Sequence, residues 1–130
     1  MIQSVTFPLR TKSENEYRRM HWRTRSRETK TQRHVVGMVL RSQFAPQTVP
    51  CSVTMTRLSC GELDDDNLAG SLKSTRDAIA QWLGVDDRDK RVTWEKPQQE
   101  KCKRGTFFVM VRIENAQDGE DRNIEVGARR

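Results

Sequence analysis

Three consecutive aspartates lie in the stretch LDDDNLAG at residues 63–70, and a second acidic group, VDDRD, follows at residues 85–89. In an extended segment, residues two apart project to the same side, so Asp64 and Asp66 can point together while Asp65 faces away. Carboxylates packed this closely repel and raise each other's pKa unless a cation neutralises them. Oxygen ligands at this density suit Mg²⁺ or Mn²⁺, which can polarise a phosphodiester and lower the pKa of a bound water.

A plainer interpretation of the same motif is the start of a helix. If an extended segment ends where a helix begins, Asp66 or Asn67 can cap the free backbone N–H groups. A cap accounts for one aspartate and leaves the other two unexplained. A calcium loop of the EF-hand type is excluded, because a frame that starts at Asp64 puts Leu68 in a ligand position.

Residues 10–33 form a basic segment on a chain whose net charge is +6 and whose pI is about 9.7. So large an excess of positive over negative charge within one segment favours contacts with phosphates. Tyr17 and Trp22 lie within this segment and can stack on unpaired bases or anchor it on the core, and anchoring is the simpler interpretation. The predicted phosphate-binding side chains are those of Arg19, Arg23, Arg25, Arg27 and Lys30.

Alternating apolar side chains predict four strands, at residues 3–9, 51–58, 92–95 and 107–113. Helical spacing predicts two helices, one from about residue 27 to just before Pro46 and one over residues 67–83 that Gly84 caps. The order β-α-β-α-β-β predicts an α+β fold with both helices packed on a single mixed sheet. We expect one domain over residues 1–114 and a polar, flexible tail over residues 115–130.

Composition excludes several classes of protein. No apolar run approaches the roughly 20 residues of a membrane span, and the N-terminus lacks the apolar core of a signal peptide, so we expect a cytosolic protein. The three cysteines are never spaced as C-x-x-C, which argues against a disulfide framework and a zinc ribbon. The chain has no P-loop and no G-x-G-x-x-G motif, so we expect no nucleotide cofactor.

The order and spacing of these motifs over most of residues 1–114 resemble the RusA-type Holliday-junction resolvases, which are small magnesium-dependent endonucleases common in phages and prophages. The family pattern runs D-x-D-N-L, then a helix with a lysine and a D-A-Leu/Ile step, then a hydrophobic residue followed by D-D. The matching residues are Asp64, Asp66, Asn67 and Leu68, then Lys73 with Asp77-Ala78-Ile79, then Val85-Asp86-Asp87. The N-terminal stretch is also similar, at Ser13, Asn15, Tyr17, Arg19 and His21.

This resemblance implies a homodimer that binds branched DNA, above all four-way junctions, and hydrolyses phosphodiesters with Mg²⁺ or with Mn²⁺. It implies that Asp64, Asp66 and Asp87 hold the metal and that Lys73 contacts the scissile phosphate. It also implies that Asn15 belongs to the DNA-binding surface.

The chain departs from the family pattern at Gly70, because the family lysine usually stands there and Lys73 comes three residues later. The second acidic group raises a further question of geometry. An unbroken helix over residues 67–83 would place its ends about 25 Å apart, so Asp87 could not follow straight on and reach Asp66. Either the helix breaks near Gly70, or the connection folds back, or Asp87 reaches the acidic pair of a partner subunit. We hypothesise that the dimer contributes to the site.

A competing hypothesis is a nucleic-acid-binding protein without catalysis, in which the aspartates are only caps and loop acids. It predicts that junction binding is indifferent to Mg²⁺ and undamaged by the substitution Asp64→Asn. The remaining tryptophans, Trp82 and Trp94, fall in helix and strand patterns and are most simply core or dimer-interface residues.

Overall fold

The computed structural model describes residues 1–115, and the rest of the predicted tail lies outside the described residues. The described residues form an α+β fold with one mixed sheet of five strands and with four helices. The strands are β1 (Ile2–Pro8), β2 (Cys51–Ser59), β3 (Val92–Trp94), β4 (Gln98–Lys101) and β5 (Phe107–Asn115). The helices are α1 (Glu14–Arg19), α2 (Trp22–Gln43), α3 (Asp65–Ser71) and α4 (Lys73–Leu83). None of these helices has the length and apolarity needed to cross a membrane.

The sheet is built around β2 and β5, which pair along their whole length. β5 is antiparallel to β1 on one side and to β2 on the other. The far edge of β2 is shared by two short parallel strands, β3 and β4, which pair with successive parts of it. Between them lies Pro97, whose missing N–H group cannot join a ladder. The sequence did not predict β4, because its residues QQEK lack apolar alternation.

The core lies on the face of the sheet that α2 and α4 cover. Val111 pairs with Val5 on β1 and with Met55 on β2, so these odd-numbered residues share one face. Trp82 and Trp94 pack against the same core, as the sequence predicts. The buried apolar residues that fill it from helices and sheet include Val36, Leu40, Leu72, Ile79, Val53, Val109 and Ile113.

The basic segment is helical over most of its length, whereas the sequence analysis expected a helix only from about residue 27. Ser13 starts α1 with a capping box, in which its Oγ accepts from the Glu16 N–H at 3.1 Å and its N–H donates to Glu16 Oε1 at 3.2 Å. His21 caps α2, since its Nδ1 accepts from the Arg23 N–H at 3.2 Å. The prediction of two helices is therefore wrong. Cap residues and helix-favouring arginines make this segment helical, whereas its apolar periodicity is too weak to indicate a helix.

The second predicted helix is divided at Leu72, which has φ −102° and ψ 5° and separates α3 from α4. Leu72 is fully buried, and the helical pattern resumes where the Arg76 N–H donates to the Leu72 carbonyl at 3.0 Å. A break near Gly70 is thus the arrangement that the structure contains. Because the Leu72 N–H still donates to the Leu68 carbonyl at 3.3 Å, helical hydrogen bonds continue on both sides of the break. The break alone therefore does not bring the two acidic groups together, and the shared site stays a prediction. Gly84 caps α4 in the left-handed conformation, as predicted, with φ 75°.

Candidate active site

The three consecutive aspartates have different surroundings. Asp64 is the N-cap of α3, and its Oδ1 accepts from the Asn67 backbone N–H at 2.9 Å and from Asn67 Nδ2 at 3.0 Å. The prediction of Asp66 or Asn67 as the cap is wrong, because the extended backbone already ends at Asp64. Asp65 is exposed and pairs with Lys96 Nζ at 3.6 Å. Asp66 is exposed in the first turn of α3.

Asp64 and Asp66 line one polar cavity of about 510 Å³, which we call the carboxylate cavity. Its walls come from α1 and from the first turns of α3. Carboxylate and amide oxygens are ligands for hard divalent cations, and a guanidinium group binds phosphate oxygens, so the cavity has groups suited to both. The residues that line it are Glu14, Asn15, Arg18, Asp64, Asp66, Asn67 and Gly70.

Hydrogen bonds hold α1 in place beside α3. The backbone N–H of Asn15 donates to Asn67 Oδ1 at 2.9 Å, which joins the two walls of the cavity directly. On the other side of α1, the ring of Tyr17 is only 3% exposed, and its hydroxyl exchanges hydrogen bonds with the side chain of Gln32 on α2 at 3.0 and 3.2 Å. Tyr17 therefore anchors the basic segment, as the sequence analysis expected.

Arg57, on β2, connects both walls of the carboxylate cavity to the sheet. It is 7% exposed, and it donates from Nε to Thr11 Oγ1 at 3.1 Å and from Nη1 to the Gly61 carbonyl at 3.0 Å. Thr11 precedes α1 and Gly61 precedes the acidic motif, so one buried guanidinium positions both segments. Burial lowers the pKa of Arg57, and the nearby Cys60 and Glu16 oppose this shift.

The cation beside the acidic pair is Arg18. Its Nε lies 3.4 Å from Glu14 Oε1, and its side chain is 70% exposed. Lys73, the predicted phosphate contact, instead pairs with Asp77 at 3.3 Å one turn along α4. Lys73 lines a smaller cavity of about 170 Å³, which extends from Glu14 towards α2, and it does not line the carboxylate cavity.

Asp87 does not line the carboxylate cavity either. Its backbone carbonyl accepts from Arg76 Nη2 at 3.2 Å and from Trp94 Nε1 at 3.1 Å, which fixes the loop after α4 against β3. The pKa of its neighbour Asp86 is lowered, chiefly by the backbone N–H of Arg88 and next by a hydrogen bond with the Asp87 side chain. Within residues 1–115, no three side chains of Asp, Glu, His or Cys form a ready-made metal site.

The predicted phosphate-binding residues extend from the carboxylate cavity along α2. Arg19, Arg23 and Arg27 are exposed, whereas Arg25 is half-buried and its Nη2 lies 3.7 Å from Glu14 Oε1. Lys30 is exposed further along the same helix. Trp22 is 67% exposed, so the prediction that it anchors the segment on the core is wrong.

Glu14 and Arg18 line this site, and neither was predicted as a site residue from the sequence. Two signals in the sequence could have found them. The spacing of Ser13 and Glu16 is that of a capping box, which predicts a helix there. On that helix, Glu14 and Arg18 are four residues apart and so share one face.

No protein-family model matches this chain, and no curated protein aligns with it significantly. The fold and the geometry of the carboxylate cavity are therefore the basis for an argument about function.

Proposed function

We propose that this protein is a metal-dependent endonuclease that hydrolyses phosphodiesters in branched DNA, with the four-way junction as its substrate. The observation that carries this proposal is the carboxylate cavity, in which Asp64 and Asp66 share a polar space with Arg18. Carboxylates hold the divalent cation that such hydrolysis uses, and a guanidinium binds the phosphate that is cut. The RusA-like order of motifs supports the same reaction.

In this proposal Asp64 and Asp66 hold Mg²⁺ or Mn²⁺, and Asp87 is the third predicted ligand. Asp64 caps α3 with Oδ1, which leaves Oδ2 for a cation. When it is bound, the ion supplies Lewis-acid polarisation of the phosphate. The chain's own contribution is to fix the two carboxylates at the start of a helix that is joined to α1 through Asn15.

Arg18 takes the role of phosphate contact that the sequence analysis gave to Lys73. Glu14 orients the guanidinium from one side, while most of the side chain stays open to solvent. A guanidinium in this position can donate two parallel hydrogen bonds to phosphate oxygens and stabilise charge that develops there during cleavage. Lys73 is paired with Asp77 in the same way, but it does not line the carboxylate cavity.

The proposed DNA-binding surface continues from the cavity onto α2. Arg19, Arg23 and Arg27 present exposed cations to the DNA backbone. The ring of Trp22 is 67% exposed, although the Arg23 guanidinium lies 5.1 Å from its centroid and the His21 ring stacks on it at 5.9 Å. Its exposed part is the proposed contact for an unpaired base at a branch point. Junctions offer such bases more readily than linear duplex does.

We further propose that the protein acts as a homodimer in the cytosol. Resolution of a four-way junction requires cuts in two strands, and a two-fold dimer presents two equivalent sites to the two-fold substrate.

The experiment that tests the proposal is cleavage of a synthetic four-way DNA junction with and without Mg²⁺, with linear duplex as the substrate control. We expect symmetric, metal-dependent nicking by the wild type and none by Asp66→Asn, which still binds the junction. Asp65→Asn is the matched control, because that carboxylate pairs with Lys96 and should be dispensable. Tight junction binding without cleavage in either Mg²⁺ or Mn²⁺ would refute the proposal that the protein is a nuclease.

A DNA-binding protein without catalysis is the second candidate, and one observation favours it. Asp64 caps a helix and Asp65 forms an ion pair, so two of the three aspartates already have structural partners. This candidate requires that junction binding is indifferent to Mg²⁺ and that Asp64→Asn binds as the wild type does. The same nicking assay therefore separates the two candidates.

A further inference from the structure

An open groove of about 580 Å³ lies between α2 and α4, and we call it the cationic groove. Its α2 side is basic because residues 30, 34, 37 and 41 follow one another by three or four positions and so share one helix face. Its α4 side is uncharged. The groove is lined by Lys30, Arg33, His34, Gly37, Arg41, Ala78, Gln81 and Trp82.

In the part of the chain that the structure describes, the cations of this groove have no acidic partner. Among residues 1–115, no carboxylate forms an ion pair with Lys30, Arg33, His34 or Arg41, and no Asp or Glu lines the groove. Arg25, on the same helix, by contrast pairs with Glu14. The charge of the groove is therefore not neutralised within this part of the chain, and an anion is the ligand that would neutralise it.

Gly37 allows Arg41 to lie across the helix surface at the groove. A Cβ atom at position 37 would come 3.1 Å from Arg41 Nη1 and 3.8 Å from its Cζ, so the guanidinium occupies the space that a side chain at 37 would take. Opposite it, Trp82 packs edge-on against Phe44 with their ring centroids 5.8 Å apart. The groove is thus shaped by packed residues.

Arg33 connects the cationic groove with the carboxylate cavity. It lines both the groove and the smaller cavity of about 170 Å³, which in turn shares Glu14 and Gly70 with the carboxylate cavity. The smaller cavity therefore lies between the other two spaces, and α2 lines the cationic groove and the smaller cavity. From Arg25 to Arg41 this helix rises about 24 Å, the length of about seven base pairs of duplex.

We propose that the cationic groove binds the phosphodiester backbone of the DNA strand that leaves the carboxylate cavity, with Arg33 and Arg41 as its principal phosphate ligands. This inference rests on the proposed function, because the strand is the one that is cut. A nucleic-acid strand fits better than a mononucleotide, since the cations from Lys30 to Arg41 extend over about 16 Å. It fits better than an acidic peptide because the groove shares Arg33 with the smaller cavity, which borders the proposed cleavage site at Glu14 and Gly70.

The test measures binding without catalysis, by fluorescence anisotropy of a labelled four-way junction in the absence of divalent cations over a series of salt concentrations. The variants are Arg33→Gln and Arg41→Gln in the full chain. The charge-matched control is Arg112→Gln, an exposed cation on the sheet face opposite the helices. We expect each groove variant to reduce the slope of log Kd against log salt by about 0.9, the value for one lost phosphate contact, and the control to leave the slope unchanged.

Two measurements separate this inference from the proposed function. Equal affinity and equal salt slope for the groove variants and Arg112→Gln would overturn the groove as a DNA site, even if the wild type cuts junctions. Weaker binding by the groove variants, with no cleavage by any form, would support the groove and refute the enzyme. Binding of poly-glutamate that depends on Arg33 and Arg41, with DNA affinity unchanged, would assign the groove to an acidic protein partner and overturn the inference.

Discussion

Glu14 and Gly70 meet where α1 crosses α3, and a Cβ atom at position 70 would lie 2.6 Å from the Cβ of Glu14. Carbon atoms in contact are ordinarily about 3.5 to 4.0 Å apart, so only a hydrogen atom fits at this position. The Cβ of Glu14 belongs to the start of its side chain and cannot rotate away. The close crossing of the two helices places Arg18, one turn further along α1, at the carboxylate cavity.

The substitution Gly70→Ala should lower the free energy of unfolding by about 1 to 3 kcal/mol, because the added methyl group overpacks the crossing. Gly37→Ala is the matched control, since a Cβ there meets only the flexible end of Arg41, at 3.1 Å. It should raise stability by up to about 1 kcal/mol through helix propensity. Urea denaturation measures both changes, and a stabilising Gly70→Ala would contradict the crossing geometry.

We expect the removal of Arg18 and the removal of Lys73 to have different effects on the rate of cleavage. Removal of Arg18 should slow junction nicking about a hundredfold at saturating DNA, which is the usual cost of losing one donor to a developing charge. Lys73→Ala should change the rate little, because it breaks only the exposed pair with Asp77, worth about 0.5 kcal/mol of stability. Single-turnover kinetics on the junction compares the two variants. A larger loss of rate in Lys73→Ala than in the Arg18 variant would instead assign the phosphate contact to Lys73.

The sheet and the core were predictable from sequence because alternation of period two marks strands with one buried face. Val109, Val111 and Ile113 alternate with polar or half-exposed neighbours, and the structure buries all three. β4 was not predictable in this way, since an edge strand that backbone hydrogen bonds and the Gln99 side chain hold in place needs no apolar side chains. Its partner strand, β2, determines its position.

The candidate site was predictable only in part, because sequence patterns place residues on elements and do not say which elements meet. Asp64 and Asp66 line one cavity, but the extended alternation that predicted their pairing is wrong, because Asp65 and Asp66 already belong to α3. The contribution of α1 depends on the contact between Glu14 and Gly70, which joins residues 56 positions apart. Lys73 was assigned by its position along the chain, whereas the division of the helix at Leu72 and the pair with Asp77 decide its surroundings.

The acidic loop after α4 should lose stability in strongly acidic solution. The Arg91 side chain, and next its backbone N–H, donate to Asp89 and lower the pKa of that carboxyl from 3.8 to about 2. Because the folded pKa lies below the unfolded one, the stabilisation is complete above about pH 4 and is lost as the pH falls towards 2. Carboxyl chemical shifts should show Asp89 titrating near 2 in the wild type. In Arg91→Ala its pKa should rise and stay below its ordinary value, because the backbone N–H of residue 91 still donates to it. An unchanged midpoint in the variant would contradict this ion pair.

Asp87 should act, where it binds metal, in the site of a partner subunit. Within one chain it does not line the carboxylate cavity, and α3 and α4 separate it from Asp64 and Asp66. In a dimer refolded from a mixture of Asp66→Asn and Asp87→Asn chains, one of the two sites would then keep both carboxylates, so junction nicking should recover, whereas nicking at the level of the separate variants would contradict the shared site. Wild type mixed with Asp66→Asn serves as the control that subunits exchange. Recovered activity in the first mixture would show that the partner supplies Asp87, because only in that case does one of the two sites regain both of its carboxylates.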